Sequence, residues 1–323
     1  MRSGTTLLYR LLNNHPQITL LYEADAFAVG PLLWPSLRAG VWHQRLDFWN
    51  GTLRRHHIPA SALPAQVRGP AEALECLGRA YAEQKPSVYI GSKTIHCSNR
   101  LAAMAQAFPA ARFVVIWRPL AEIIDSLHRA GQTNAYLSPA RRSRQLFQQY
   151  GELVEGVLAL RRLQRSVHEV LYGELVVNPE ISCRGLCDFL ELPWSPSMLS
   201  TDPFSVSAVP AAPHHFRARS SPPERLQVPR SEIPAPAAAK LRSYERYWAD
   251  RFAGQPVRMA PASALPPGPG LQHFRLQLWL DRLAYRVHRF LIFSKLFVYR
   301  FAPLTVLRWY RSGLRKADHS RER

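Results

Sequence analysis

Cysteine is scarce in this chain: four in 323 residues, Cys76, Cys97, Cys183 and Cys187, with no CxxC pair among them. That excludes a disulfide framework and the common zinc spacings, and buried reduced thiols are the expectation. No metal site is expected. Long apolar runs are missing as well: no uninterrupted stretch of about 20 apolar residues occurs, which argues against a transmembrane helix. The first residues lack the basic-then-apolar pattern of a secretory signal, so the cytoplasm is the default expectation. Acidic residues are also few, 23 against 42 Lys and Arg, for a formal net charge of +19. Such a surface calls for an anionic partner: nucleotide phosphates, an acidic polymer, nucleic acid or anionic lipid. The basic residues do not surround a recognisable recognition module, so no specific nucleic acid is expected.

A further absence narrows the chemistry. The lysine of a GxxxxGK[ST] loop is missing and no strand ends in a Walker-B aspartate, so the chain is not a nucleotide triphosphatase of that kind. It does open on a short glycine-containing turn, Arg2-Ser3-Gly4-Thr5-Thr6-Leu7, that runs straight into an amphipathic helix over Leu7–Asn13. Backbone N–H groups at a helix start, hydroxyls from Ser3, Thr5 and Thr6, and the Arg2 guanidinium form a cradle for a phosphate-like oxyanion. Serine and threonine ahead of a leucine run are equally ordinary helix caps.

Strands alternate with helices along the next 180 residues. Gln17–Tyr22 reads as a buried extended segment delivering Glu23, after His15-Pro16 closes the first helix. Residues 34–84 are aromatic and basic and look like an insertion shaping an acceptor site, with Trp42, His43, Arg45, Phe48 and Trp49 as candidate lining. Val88–Gly91 is a short strand and Arg100–Ala107 a helix. Arg112–Trp117 is a continuous apolar, β-branched run of the kind found in a covered parallel sheet. Helices are expected over Pro119–Ala130, Pro139–Ser166 and Pro179–Leu190, with a strand at His168–Tyr172. The pattern predicts an α/β fold: an open parallel sheet flanked by helices, a P-loop-like turn at its start and a helical extension at its end. Arg118 leaves the strongest strand at the sheet edge where open α/β folds bind ligands, and Ser126 follows eight residues later on the next helix. Two separated anion grips suit a ligand with phosphate at both ends. Arg118 as a surface ion-pair former and Ser126 as an incidental helix serine remain the alternatives.

The domain boundaries expected are a nucleotide-binding domain at 1–252, with 203–236 a proline-rich surface segment or lid, a linker at 253–270, and a helical extension at 271–323. That extension carries twelve Lys and Arg against three Asp and Glu. On a helical wheel Arg275, Arg282, Arg286, Arg289 and Arg300 form one stripe, opposite a broad face of Leu276, Leu280, Leu283, Val287, Leu291 and Phe301. Residues 271–316 therefore suit an anionic membrane surface, or alternatively a helix capping the core.

The two motifs and their order make the chain resemble the sulfotransferases that use 3′-phosphoadenosine-5′-phosphosulfate (PAPS), in their bacterial and tyrosylprotein-like branch. Arg2 to Leu7 is similar to their 5′-phosphosulfate loop, and Trp117-Arg118-Pro119 through Ser126 to their 3′-phosphate motif. His15-Pro16, the segment Tyr172 to Glu180, Cys187-Asp188-Phe189-Leu190 and Pro193-Trp194 match as well, so the likeness covers about residues 1–195. The resemblance implies PAPS as co-substrate, no metal, and an acceptor hydroxyl or amine on a phenol, a peptide tyrosine or a carbohydrate. It implies Glu23 as general base, Lys93 as the cation on the leaving phosphate oxygen and Arg2 on the sulfuryl oxygens. It also implies Tyr172 at the nucleotide and Arg129 as an added phosphate contact, with His96 a rival base. Relatives carry a hydrophobic strand and a Gly-x-Pro turn before the Arg-Ser-Gly, and here only Met1 precedes Arg2. A start assigned too late, or a truncated chain, is the expectation from that. The alternative function is a non-catalytic peripheral membrane or anionic-polymer binding protein on a decayed version of the same fold.

Overall fold

The computed structural model describes residues 3–28, 42–85, 87–95, 97–133, 139–201 and 207–209, and single positions at 241, 244, 247, 248, 279, 280, 283 and 287. Four strands, β1 (Ile18–Tyr22), β2 (Tyr89–Lys93), β3 (Phe113–Trp117) and β4 (Val167–Leu171), form two parallel pairs. Ile18 to Tyr22 face Tyr89 to Lys93 in register, and Phe113 to Trp117 face Val167 to Leu171. Parallel partners need a crossover, and helices supply it. α1 (Thr5–Asn13) leads into β1, and α2 (Trp42–Asn50), α3 (Thr52–His56) and α4 (Pro70–Ala82) lie between β1 and β2. α5 (Leu101–Ala107) joins β2 to β3, while α6 (Leu120–Thr133) and α7 (Pro139–Arg162) join β3 to β4. α8 (Tyr172–Val177) and α9 (Pro179–Leu190) follow β4. The fold class is α/β, as the alternation predicted.

Side chains alternate across each strand, and the core is divided accordingly. Ile18, Ile116 and Val170 pack on one side with Leu7, Leu8 and Leu11 of α1 and with Cys183, Leu186 and Cys187 of α9. Val115 and Trp117 turn to the other side, against Ile124 and Leu127 of α6 and Phe147 and Val154 of α7. Leu241, Tyr244 and Trp248, spaced as on one helix face, close that second layer. Because the α1 layer touches β1, β3 and β4, the two pairs share one core although no ladder joins β2 to β3 among the described residues. Their facing edges border a cavity of about 760 Å³, lined by Val88 to Lys93 on one side and Phe113 to Arg118 on the other.

The opposite edge, along β1, is closed by side chains. The Leu20 N–H donates to Asn13 Oδ1 at 2.9 Å and the Tyr22 N–H to His56 Nε2 at 2.8 Å, while Lys85 Nζ donates to the Ile18 carbonyl at 2.6 Å. Three of the backbone groups that face this edge are thus satisfied without another strand.

Several boundaries differ from the sequence expectation. β2 runs on through Ser92 and Lys93, because its register with β1 continues to Tyr22 beyond the apolar residues. Tyr172 does not end a strand: β4 stops at Leu171 and Tyr172 opens α8. α7 ends at Arg162 rather than Ser166, where Gln164 enters the left-handed region at φ 53° and breaks the helix. Pro179–Leu190 is as predicted, with proline in its first turn and left-handed Glu191 as its stop. The four cysteines are free, three of them buried. Of the expected lid only 207–209 is described, with Ala208 and Val209 buried against Tyr9 and Tyr22; the linker and most of the C-terminal extension lie outside the described residues.

Candidate active site

Within each pair the strands run the same way, and Ser3 and Thr5 at the start of α1, Lys93 at the end of β2 and Arg118 after the end of β3 border one cavity. The residue ahead of α1 is Gly4 at φ 98° and ψ 4°, and no side chain caps the helix. A left-handed residue followed by helical ones turns successive N–H groups inward, which makes an anion-binding concavity. The cap alternative for Ser3, Thr5 and Thr6 is therefore overturned: a backbone turn at Gly4 starts the helix. Glycine is required there, because a Cβ at Gly4 would sit 2.4 Å from Tyr172 Cδ2 and 3.1 Å from Ile116 Cδ1. With no acidic residue in its first turn, the positive end of α1 is left for a ligand.

At the ends of β1 and β2 the register sets Glu23 beside Lys93. The Glu23 N–H donates to the Lys93 carbonyl at 2.7 Å, and Lys93 Nζ donates to Glu23 Oε1 at 2.5 Å. Glu23 itself is left-handed, at φ 53°, a conformation that costs a non-glycine residue about 1 kcal/mol or more and persists only where surroundings enforce it. The Lys93 side chain is 8% exposed, against 20% for Glu23. Burial pulls the Lys93 ammonium below its ordinary range, and the Glu23 carboxylate opposes that shift. Lys93 Nζ also sits 4.2 Å from the centroid of the Tyr22 ring. Around this pair stand a second carboxylate, Asp25, bonded by the Thr94 hydroxyl, and a second cation, Arg55, whose Nη1 is 4.0 Å from Glu23 Oε2.

Across the cavity, Arg118 lies at the end of β3 with its guanidinium 4.0 Å from the Tyr172 ring centroid and its Nε 3.3 Å from Glu122 Oε2. The Tyr172 ring thus stands between Gly4 and Arg118. Ser3, Thr5, Lys93 and Arg118 all border the same cavity. Ser126 lies on α6 and is 6% exposed. Arg129, one helical turn from Asp125, is held by its carboxylate at 2.5 Å.

The remaining candidates divide plainly. Thr6 Oγ1 shares a hydrogen bond with the Tyr22 hydroxyl at 3.3 Å, and the Leu7 side chain is in the core, leaving its N–H as what it can offer a ligand. Arg2 and His96 lie outside the described residues, as do the side chains of Arg45, Phe48 and Trp49. Trp42 does not line an acceptor site: it is fully buried, its indole N–H donating to the Pro64 carbonyl at 2.8 Å, because Trp42 and Leu46 on the apolar side of α2 pack on Ile58 and Leu77. His43 is buried beside it. Arg55, His56 and Asp25 were not singled out from the sequence. The run Arg54-Arg55-His56-His57 was the available signal for the first two, and Asp25, two residues past Glu23, had none.

Residues 1–196 match the model of a family described as the sulfotransferase family. Among solved structures, the chain is similar to the sulfotransferase domain from the curacin biosynthetic pathway, at 16% identity and a TM-score of 0.50, over 78% of this chain and 94% of that one. At that identity the likeness is one of fold. No curated protein sequence matches the chain.

Proposed function

Because the chain belongs to the sulfotransferase family, we propose that it transfers the sulfuryl group of PAPS to an acceptor hydroxyl or amine by in-line displacement, with Glu23 as base and Lys93 on the leaving oxygen. The observation that carries this is the part-buried Glu23–Lys93 pair at 2.5 Å, whose Lys93 lines a cavity that Ser3, Thr5 and Arg118 also border. PAPS supplies the electrophilic sulfur and a phosphate leaving group. The residues fit a nucleotide with an anionic group at each end: the concave Gly4 turn and the start of α1 suit one end, and Arg118, set apart by Tyr172, suits the other. Glu23 takes the proton of the attacking group, and Lys93 neutralises charge as it grows on the departing oxygen. To do so Lys93 must give up part of its bond to Glu23, and Arg55 at 4.0 Å remains as counter-ion to the carboxylate.

Calorimetric titration with 3′,5′-ADP, with ATP as competitor control, tests the donor site. Selective binding that is lost in Arg118→Ala is the expected result, and a folded protein that binds neither nucleotide overturns the proposal.

Attachment to an anionic membrane surface is a second role, supported by a specific observation. Leu241, Tyr244 and Trp248 are buried in the core, but Trp279, Leu280, Leu283 and Val287, with the same helical spacing, are 44–57% exposed. An apolar helix face left in solvent, in a segment with twelve basic residues, suits a bilayer interface. Sedimentation with phosphatidylserine vesicles, compared with phosphatidylcholine alone and with a chain lacking 271–323, checks it. Binding unchanged by the deletion would refute it.

A further inference from the structure

We propose that His56 is a positioning residue for the base: by accepting the Tyr22 N–H, it holds the end of β1 so that Glu23 is kept in its left-handed conformation, facing Lys93. The inference rests on the assignment of Glu23 as base. Its ground is geometric. Tyr22 N–H points away from β2, to the edge where no strand pairs with β1 among the described residues, and His56 Nε2 takes it at 2.8 Å. The next N–H, that of Glu23, points the other way and donates to the Lys93 carbonyl at 2.7 Å. The two peptide planes that flank the Tyr22 Cα are therefore both held, the first by the His56 ring and the second, which leads into Glu23, by β2. A left-handed non-glycine residue needs that over-determination.

His56 is itself held firmly. It is the last residue of α3, 1% exposed, and its ring meets the Tyr81 ring edge-on at 4.3 Å between centroids. The Gln84 side-chain amide donates to the His56 carbonyl at 3.0 Å, and His57 at φ 52° ends the helix. An acceptor at Nε2 requires the neutral ring with its proton on Nδ1. Burial and the adjacent Arg55 and His57 favour the neutral form. The same short helix contributes Arg55, on the other flank of the carboxylate. α3 thus governs Glu23 through both its backbone and its charge.

The test compares His56→Gln with His56→Asn. A glutamine amide oxygen reaches the place of Nε2 and can accept the Tyr22 N–H. An asparagine falls short of it. Both are polar amides of similar bulk, and 3′,5′-ADP affinity reports whether the donor site is intact in each. The proposal expects slow Tyr22 amide exchange in the wild type and the Gln variant and faster exchange in the Asn variant. With PAPS and 4-nitrophenol as probe acceptor, kcat should fall about 10²-fold in the Asn variant with little change in KM, since a displacement near 1 Å costs that much. The acid limb of its kcat–pH profile should also move up, because a displaced Glu23 loses the company of Lys93 and Arg55. Asp25 and Tyr22, which face the same group, are unchanged in both variants. Equal kcat and superimposable pH profiles in the two variants would overturn the proposal. Glu23→Gln separates the two levels: wild-type turnover there overturns the base assignment itself, whereas an inactive Glu23→Gln with indistinguishable His56 variants overturns only the role of His56.

Discussion

Replacing Gly4 by alanine tests whether the opening turn is built around a missing side chain. Two costs add. At φ 98° an L-residue is strained by about 1 to 2 kcal/mol. The new Cβ would also lie 2.4 and 2.8 Å from two Tyr172 ring atoms and 3.1 Å from Ile116 Cδ1. Tyr172 cannot step aside cheaply, because it is 8% exposed and has Arg118 stacked 4.0 Å from its ring centroid. Overpacking of that kind costs about 1 to 3 kcal/mol. Gly4→Ala is thus expected to destabilise by roughly 2 to 5 kcal/mol, a large share of the ~5–15 kcal/mol that holds a folded domain. Urea unfolding at neutral pH measures it. A double-mutant cycle with Tyr172→Leu separates the terms: in that background most of the packing term should vanish while the backbone term stays. A Gly4→Ala loss below about 0.5 kcal/mol, within the range of ordinary surface substitutions, would refute both the left-handed turn and the close approach of Tyr172. The same variant should lose 3′,5′-ADP binding if the turn is the anion cradle.

Three further outcomes follow from the geometry. His56 is held near a pKa of about 3 against 6.5 unfolded, so the unfolded chain takes the proton first. Stability attributable to it is therefore intact above pH 6.5 and declines toward pH 3, by about 2 kcal/mol between pH 7 and pH 5, and His56→Gln should remove that part of the pH dependence in urea titrations. Glu23→Gln should lower turnover by roughly 10² to 10⁴ with nucleotide affinity retained, while His96→Ala leaves turnover within a few-fold; the reverse order would move the base to His96. Arg118→Lys keeps the charge but gives up the stacking on Tyr172 and the planar fork, so 3′,5′-ADP affinity measured by calorimetry should fall by roughly 1 to 2 kcal/mol, or about five- to thirtyfold, and an unchanged affinity would remove Arg118 from the phosphate site.

Local signals carried most of the fold. Pro179 and the apolar spacing to Leu190 define α9, and the β-branched run before Arg118 defines β3, because both depend on neighbours in sequence. The pairing of the strands was not legible, since β1 finds β2 some seventy residues away. Polar Ser92 and Lys93 hide the end of β2 for a related reason: strand residues at a ligand edge do not read as strand. In the site, Gly4 and Arg118 stood out because each occupies a recognisable place next to a helix start or strand end. Arg55 and His56 did not, because a five-residue helix within an aromatic, basic insertion gives no indication of which side chain will meet β1. Trp42 illustrates the opposite error, an aromatic in the same region whose amphipathic helix turns it inward.

The closed flank of β1 has a consequence for how the chain reaches its native state. The groups that cover it, Asn13, Lys85 and His56, come from a helix before the strand, a turn before β2 and a short helix between them. Asn13 is near the strand in sequence, but Lys85 and His56 are not, so the flank is fully protected only after distant parts of the chain have assembled. Until then β1 presents an open, apolar template to any other nascent chain. Refolding yield should therefore drop with protein concentration, and most steeply in variants that delay the docking of α3.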